Sequence, residues 1–423
     1  MRISVERLRG ALLWLTGVTG AFVFMEPSPY EITSLLTIFV FAVTGLSLRP
    51  GMMPLVFLLA LYNIGFSIAV IPVLDQAPSR TWVMISWYLS ATALFYAAML
   101  GTNTQQRLSL LMRGYMLAAI LASLAGVVGY FHLVPGLSDM FVRFDRARGT
   151  FNDPNVLGAF LVLPILFVLQ RLLTGHLRTA WRSTLLLGLF ASALLLTFSR
   201  GAWGQCVLAA IVLMMLHLVT STSRIERLRI ILVGAIGLMV LAAFITALLS
   251  IDQVAQLFRE RASLEQSYDV GHFGRFGRHV LGFLLALDQP LGIGPLQFRS
   301  YFPEDPHNAY LNAFMSGGWL AGLSYLAITV VTLASGLRFV FVATPWRPAY
   351  LAVYAAYVAT AFESTVIDSD HWRHFFLLVG VLWGLMAAAR WQARAPQRAR
   401  AARPWPGGGT PQAGTLAPAG RAV

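Results

Sequence analysis

One histidine stands where it could transfer a proton, in the sequence Pro306-His307-Asn308 directly before an apolar run. Imidazole side chains titrate at about pH 6.5, which suits a general base at neutral pH. A histidine at the start of a helix can instead serve only as a cap or as a ligand of water. His307 is therefore a candidate for acid–base chemistry, with a structural role as the alternative.

Arginines form a second group of candidates, because guanidinium groups bind phosphate oxygens through paired hydrogen bonds. Seven of them lie outside the basic segments that flank most apolar runs: Arg143, Arg146, Arg148, Arg200, Arg275, Arg278 and Arg299. The alternative is pairing with nearby acids: Asp145, Glu260, Asp269 and Glu304. Arg200 differs because it lies in a short turn between two apolar runs, where an unpaired charge is costly. Arg275 and Arg278 are one helical turn apart, so either could contact a phosphate.

A third cluster could bind a divalent cation through carboxylate and imidazole ligands. It consists of Asp368, Asp370, His371 and His374. Asp-x-Asp is a short pattern, and a solvated loop explains it equally well. The chain has no GxxxxGK[ST] motif for ATP, and Cys206 is its single cysteine. The sequence therefore gives no sign of ATP hydrolysis or of a cysteine-based zinc site. We predict no metal and no other cofactor, with a cation at the Asp-x-Asp cluster as the weaker alternative.

The composition determines which elements must position these residues. Of the 423 residues, 57% are hydrophobic and 12% are charged. Soluble domains carry about 25% charged residues, so a water-soluble fold is excluded. Apolar runs of spanning length predict an all-α polytopic membrane protein with about 12 transmembrane helices. The runs lie at about 9–25, 31–48, 52–72, 81–100, 108–131, 155–173, 183–198, 202–219, 228–250, 308–335, 347–363 and 373–390.

The stretch from Leu185 to Val219 tests this count, because one helix of that length would exceed the hydrocarbon core of a bilayer. We expect it to fold back near Ser199-Arg200-Gly201, which places Arg200 at the membrane edge.

The distribution of arginine predicts that both termini are cytoplasmic. All 31 basic residues are arginine, and 20 of them fall on the inner side if the N-terminus is inside. Inner loops of membrane proteins are enriched in Lys and Arg, so this bias supports the orientation. It also explains most of the net charge of +13 without a nucleic-acid partner. The seven arginines named above then lie outside, where an anionic ligand such as a lipid diphosphate would explain them.

Three regions follow from these patterns. Residues 1–131 form N-terminal transmembrane helices, and 132–390 form a second transmembrane region. This second region includes a long periplasmic loop at about 251–307. Within the loop, Val280–Leu287 is apolar but too short to span, which predicts an interfacial or buried helix. Residues 391–423, rich in Pro, Gly, Ala and Arg, predict a disordered cytoplasmic tail.

Four stretches, in this order, resemble the bacterial O-antigen ligase and O-antigen polymerase superfamily. They are Arg148-Gly-Thr-Phe-Asn-Asp-Pro-Asn155, Phe198-Ser-Arg-Gly201, Gly274-Arg275 with Pro290-Leu-Gly-Ile-Gly-Pro295, and His307-Asn308 followed by Gly317-Gly318. The resemblance covers about 140–390. The first five apolar runs match only as generic helices.

The resemblance implies a glycan transferase at the periplasmic face of the bacterial inner membrane. Such enzymes move a glycan from undecaprenyl diphosphate to an acceptor hydroxyl, and the ligases need neither ATP nor a metal. By this resemblance His307 is the proposed base, and Arg200 and Arg275 hold the diphosphate. We add Arg278 and Arg148 to the diphosphate site, and we give Asn155 and Asn308 supporting roles. The expected partners are the lipid-linked glycan, an acceptor glycolipid or second lipid-linked glycan, and the bilayer.

The same residues are compatible with other functions. A polymerase would join two lipid-linked repeats of O-antigen or exopolysaccharide, and another transferase would modify protein hydroxyls. A non-enzymatic transporter would also have about twelve helices. Transporters usually carry polar sites at the membrane midplane and internal repeats, however, and this sequence has neither pattern.

Overall fold

The computed structural model describes residues 4–25, 27–136, 138–175, 178, 180–262, 271 and 274–401, and it is mostly helical. The first six helices are α1 Val5–Thr19, α2 Pro29–Gly45, α3 Met53–Ala69, α4 Ala77–Met99, α5 Thr104–Tyr130 and α6 Ser138–Phe141. A two-stranded antiparallel hairpin follows, with β1 Val142–Arg143 paired to β2 Arg146–Ala147. The remaining helices are α7 Pro154–Thr174, α8 Ala180–Leu196, α9 Arg200–Thr220, α10 Arg224–Leu249, α11 Asp252–Ala262, α12 Arg275–Asp288, α13 Ala309–Val340, α14 Arg347–Glu363 and α15 Arg373–Ala401.

The helices begin where short polar side chains can cap them. Ser28 and Glu31 form a capping box at α2, and Asp153 caps α7 with Pro154 at the first helical position. Ser199 caps α9, and Asn308 caps α13. Each cap satisfies backbone N–H groups that a helix start leaves without partners. Two of these caps directly adjoin predicted site residues, Arg200 and His307.

All twelve predicted apolar runs coincide with helices. Within the described residues, eight helices are long and apolar enough to cross a membrane: α4, α5, α7, α9, α10, α13, the first part of α15, and α3 together with the preceding 3-10 turn. The apolar helices α2 and α8 are shorter. These findings confirm a polytopic all-α membrane protein, whereas the predicted count of twelve crossings stays a prediction.

The predicted fold-back in the stretch 185–219 is confirmed, because α8 ends at Leu196 and α9 begins at Arg200. The predicted loop 251–307 contains α11, α12 and a 3-10 turn at Phe298–Ser300, and α12 includes the apolar segment Val280–Leu287. The C-terminal helix α15 continues to Ala401 rather than ending near residue 390. The rest of the predicted tail, 402–423, lies outside the described residues.

The core is built from closely packed helix pairs, which are α13 with α3, α1 with α5, α15 with α4, and α14 with α9. Small residues permit these contacts, as is common where membrane helices pack. A Cβ added to Gly17 of α1 would lie 2.5 Å from the Leu111 carbonyl oxygen of α5. By contrast, α10 is peripheral, and Ile230 is the one residue buried along this helix.

Candidate active site

His307 is held at the start of α13 by contacts with two other segments. Its backbone is left-handed, with φ of 48°, and the next residue, Asn308, caps α13 by accepting a hydrogen bond from Leu311 N at 3.0 Å. The backbone N–H of Ala309 donates to the Ser364 carbonyl at 2.8 Å, which ties the start of α13 to the end of α14. The imidazole is 39% exposed, so it remains open to a substrate.

Asp368 orients the imidazole. Its Oδ2 lies 3.3 Å from His307 Nδ1, and its Oδ1 accepts a hydrogen bond from Asn308 N at 2.9 Å. Burial raises the pKa of the Asp368 carboxyl, and the hydrogen bonds with His307 and Asn308 oppose that effect. A His–carboxylate contact of this kind fixes the tautomer with the proton on Nδ1 and leaves Nε2 as a proton acceptor.

His279 of α12 adds a third contact to this end of α13, because its Nε2 lies 2.7 Å from the Pro306 carbonyl. Burial lowers the pKa of His279 and the hydrogen bond to Pro306 opposes that shift. A neutral imidazole with the proton on Nε2 can donate to this carbonyl. His279 therefore connects the arginine-bearing helix α12 to the segment that carries His307.

The two arginines of α12 differ in environment. Arg278 is 3% exposed, and its Nη1 contacts Glu304 Oε2 at 2.8 Å. Its Nε and Nη2 have no hydrogen-bond partner in the part of the chain that the structure describes. Arg275, one turn earlier, is the first residue of α12 and is partly exposed. A buried guanidinium with two unpaired nitrogens is costly, and an anionic ligand would remove that cost.

Arg200 begins α9, immediately after the cap residue Ser199. The N-terminus of a helix favours anions because its backbone N–H groups and its dipole present positive charge there. The Glu363 carboxyl lies beside this turn, 3.2 Å from where a Cβ on Gly201 would stand. Glu363 is 4% exposed, and neither carboxyl oxygen has a hydrogen-bond partner among the described residues.

The β1–β2 hairpin reaches the same turn through Arg146. This side chain donates to the Thr197 carbonyl at 2.6 Å and to Asn155 Oδ1 at 2.7 Å. Arg148 points elsewhere and donates to the carbonyls of Met140 at 3.2 Å and of Asp139 at 3.3 Å.

The structure therefore brings Asn155 to the α8–α9 turn and brings His307 and Asn308 to Asp368. It does not bring Arg148 to that turn. Sequence reasoning missed three features: His279, the role of Arg146, and Asp368 as the partner of His307.

Two of the candidate arginines form ion pairs with acidic side chains. Arg299 pairs with Asp305 at 2.6 Å and Arg278 pairs with Glu304, as the ion-pair alternative expects. Asp269 and the side chain of Glu260 lie outside the described residues. The two carboxylates of the cluster considered for a cation have different partners. Asp368 contacts His307, whereas Asp370 contacts His371 Nδ1 at 3.2 Å and Asn312 Nδ2 at 2.9 Å. Within the described residues, no group of three His, Cys, Asp or Glu side chains is arranged to hold a metal ion.

Comparison with known proteins identifies one family for part of the chain. The family model described as O-antigen ligase matches residues 185–326, about a third of the chain. The matched segment contains Arg200, Arg275, Arg278, His307 and Asn308, whereas Arg148, Asn155 and Asp368 lie outside it. No curated protein matches the chain. The match to the O-antigen ligase domain at residues 185–326 confirms the predicted resemblance of this chain to the O-antigen ligase superfamily.

Proposed function

We propose that this protein is a glycosyltransferase that moves a glycan from undecaprenyl diphosphate to an acceptor hydroxyl, as an O-antigen ligase does. The observation that carries the proposal is the contact of His307 with Asp368 at the start of α13. The O-antigen ligase domain at residues 185–326 supports it, because members of that family transfer glycosyl groups.

The chemistry follows from the orientation of the base. Asp368 accepts the Nδ1 proton, so Nε2 of His307 is available to take the proton of the acceptor hydroxyl. The hydroxyl oxygen then forms the new bond to the anomeric carbon of the donor. At the same time the bond from that carbon to the diphosphate oxygen breaks, and the diphosphate leaves with the electron pair.

The leaving diphosphate gains negative charge in the transition state, and positive groups placed in advance stabilise it. We assign this role to Arg200, Arg275 and Arg278. The two unpaired nitrogens of Arg278 favour it as the residue that contacts the phosphate oxygens. We also propose Arg148 as a diphosphate ligand, which requires its guanidinium to leave the carbonyl groups of Met140 and Asp139. In this scheme the diphosphate is its own leaving group, so the transfer needs neither ATP nor a metal.

The same proposal includes a topology. Twelve helices, which are α1–α5, α7–α10 and α13–α15, each cross the inner membrane once, and both termini are cytoplasmic. In this arrangement the starts of α7, α9 and α13 and the ends of α8 and α14 share the periplasmic side. The segment 251–307, with α11 and α12, lies on that side as a periplasmic loop. The site then adjoins the lipid headgroups, where a membrane-anchored diphosphate would lie.

Replacement of the base tests the proposal. We expect His307→Ala to lower transfer at least about 100-fold, because general base catalysis typically contributes about 10²–10⁴-fold. The assay uses purified protein in liposomes with an undecaprenyl-diphosphate-linked glycan and an acceptor glycolipid. The control is His132→Ala, an exposed histidine beyond the end of α5. Near-normal transfer by the His307 variant, with normal insertion, would reject this residue as the base.

A polymerase is the second candidate, because the O-antigen ligase domain does not separate the two reactions. Analysis of glycans in a deletion strain distinguishes them. Loss of a ligase leaves long chains that are not attached to an acceptor lipid, which is the result we expect. Loss of a polymerase leaves single repeats, and that result would replace the ligase assignment.

A further inference from the structure

A cavity of about 510 Å³ lies between helices α1, α2, α4, α5, α7 and α15. It falls within the range of small-molecule sites, about 300–1,000 Å³. The lining runs along α4 from Thr81 to Leu89 and along α7 from Asp153 to Phe160, which corresponds to about 10–12 Å of helix. Every lining residue lies outside 185–326, so the cavity is not part of the matched O-antigen ligase domain.

The deep part of the cavity offers few hydrogen-bonding groups, because its hydroxyls are already paired. The hydroxyls of Thr16 and Thr37 lie 2.8 Å apart, and the Tyr115 hydroxyl donates to the Phe160 carbonyl at 3.1 Å. Ile85, Leu89 and Val156 add aliphatic surface, and the buried Nε2 of His374 is a polar lining atom without a hydrogen-bond partner among the described residues. An apolar cavity of this kind does not favour water, so an occupant must be largely hydrocarbon.

The end of the cavity at Glu31, Asp153 and Arg373, called its outer end, is polar, and its charges are balanced. Glu31 forms an ion pair with Arg373, and both line the cavity with Asp153. Arg143 lies alongside and donates to the Asn152 carbonyl at 2.8 Å. Two carboxylates and two guanidinium groups leave this rim without net charge. A diphosphate would find no excess of positive charge here, in contrast to the arginines of α9 and α12.

The cavity shares a wall with the segment that orients the base. His371 lines the cavity and is fixed by stacking on Trp82, with ring centroids 3.6 Å apart. Asp368, the partner of His307, precedes His371 by three residues, so their backbones are at most about 11 Å apart. A polar group that emerges beside His371 therefore lies next to the segment that carries Asp368, the partner of His307.

We propose that this cavity holds a hydrocarbon chain of the acceptor lipid, whose group next to the chain carries no net negative charge. The hydroxyl-bearing part of that lipid then extends past His371 toward His307. A hydrocarbon chain supplies the packing contacts that an empty cavity lacks. The assignment to the acceptor rests on the proposed function, whereas the binding of a hydrocarbon chain does not.

Photolabelling tests the binding itself. The probe is a long-chain alcohol with a diazirine at the end of its chain, added to the purified full chain in detergent. We expect labelled peptides within 81–89, 153–160 and 371–377. Two substitutions that fill the cavity, Val156→Trp and Ile85→Trp, should each lower this labelling at least about tenfold. A tenfold loss of affinity corresponds to roughly two methylene groups of the probe that are no longer buried.

The matched control is Leu238→Trp on α10, where the native side chain is 69% exposed and the change leaves the cavity empty. Its labelling of the three segments should equal that of the wild type. Equal labelling in the filled and unfilled proteins would overturn the cavity as a chain-binding site.

Kinetics test the acceptor assignment separately. In the liposome assay, Val156→Trp should raise KM for the acceptor about tenfold and leave KM for the undecaprenyl-diphosphate donor unchanged. A change in the donor KM instead, or no change in either KM, would overturn the acceptor assignment. Failure of the proposed function has a different signature, because the wild-type protein then transfers no glycan in the liposome assay while labelling of the cavity persists.

Discussion

The orientation of His307 depends on residues that are distant in sequence. Asp368 contacts the imidazole and the next backbone N–H, and His279 contacts the carbonyl of the preceding proline. The left-handed backbone of His307 lets these three contacts coexist at the start of one helix. A base whose imidazole contacts a carboxylate and whose flanking backbone is fixed has less freedom to lose when the substrate binds, which lowers the cost of reaching the reactive geometry.

Replacement of Asp368 by asparagine tests this orientation at the residue scale. The asparagine carbonyl can still accept from Asn308 N, but its NH₂ group faces Nδ1 and favours the tautomer that protonates Nε2. We therefore expect Asp368→Asn to lower kcat at least about tenfold with both KM values within twofold, measured in the liposome assay.

Asp305→Asn is the matched control, since it removes only a solvent-exposed pair with Arg299. Its kcat should equal that of the wild type. A rise in KM without loss of kcat in Asp368→Asn would mean that Asp368 binds substrate rather than orienting the base.

Sequence alone could identify His307 as a candidate but could not identify its partner. Asp368 lies near Asp370, His371 and His374, and that local pattern equally suits a metal site. The pairing depends on the way α14 returns the chain to the start of α13, and helix packing of this kind leaves no local sequence signal. Arg146 and Arg148 show the same limit, because only the turn of the hairpin decides which of them reaches Asn155.

At the scale of elements, α13 is interrupted where it meets a loop. Gly318 has φ of 70° and ψ of −172°, so α13 consists of two parts. Trp319 N donates to the Pro290 carbonyl at 2.9 Å, and Ile293 N donates to the Met315 carbonyl at 2.7 Å. Backbone groups freed within a membrane need such partners. The stretches Pro290–Pro295 and Gly317-Gly318, which both carry the resemblance, therefore form one unit.

Gly318→Ala should disrupt this unit. A Cβ at Gly318 would lie 2.6 Å from the Pro290 carbonyl oxygen, in a backbone conformation that is essentially limited to glycine. We expect destabilisation of more than about 2 kcal/mol, measured as a lower Tm of the purified protein in detergent.

The matched control is Gly237→Ala in α10, where an added Cβ meets nothing within 4 Å. There the Tm should stay equal or rise slightly, because alanine favours a helix by up to about 1 kcal/mol over glycine. Equal Tm values for the two variants would contradict the close packing of Gly318 against the Pro290 carbonyl.

At the scale of the whole molecule, hydropathy predicted the position of every apolar helix because a bilayer imposes length and composition together. It could not predict the break in α13, since Gly317-Gly318 resembles an ordinary packing site in a membrane helix. Nor could it settle the crossings of α8 and α14, which have 17 residues each. Helix α14 decides whether the turn at Arg200 and the loop at Asp368 share one side of the membrane, and α8 decides whether that turn shares the side of Asn155 at the start of α7.

Cysteine labelling can test both helices in one experiment. Cys206→Ser removes the native thiol, and single cysteines are then introduced at the exposed residues Thr174, Thr222, Ala343 and Thr365. Because α8 and α9 separate Thr174 from Thr222, both positions should be cytoplasmic and protected from an impermeant maleimide in intact spheroplasts. Ala343 should likewise be protected, whereas Thr365 should react, because α14 alone lies between them. If one of Thr174 and Thr222 reacts and the other is protected, α8 does not cross. If Thr365 is protected, Asp368 lies on the cytoplasmic side, away from a periplasmic substrate.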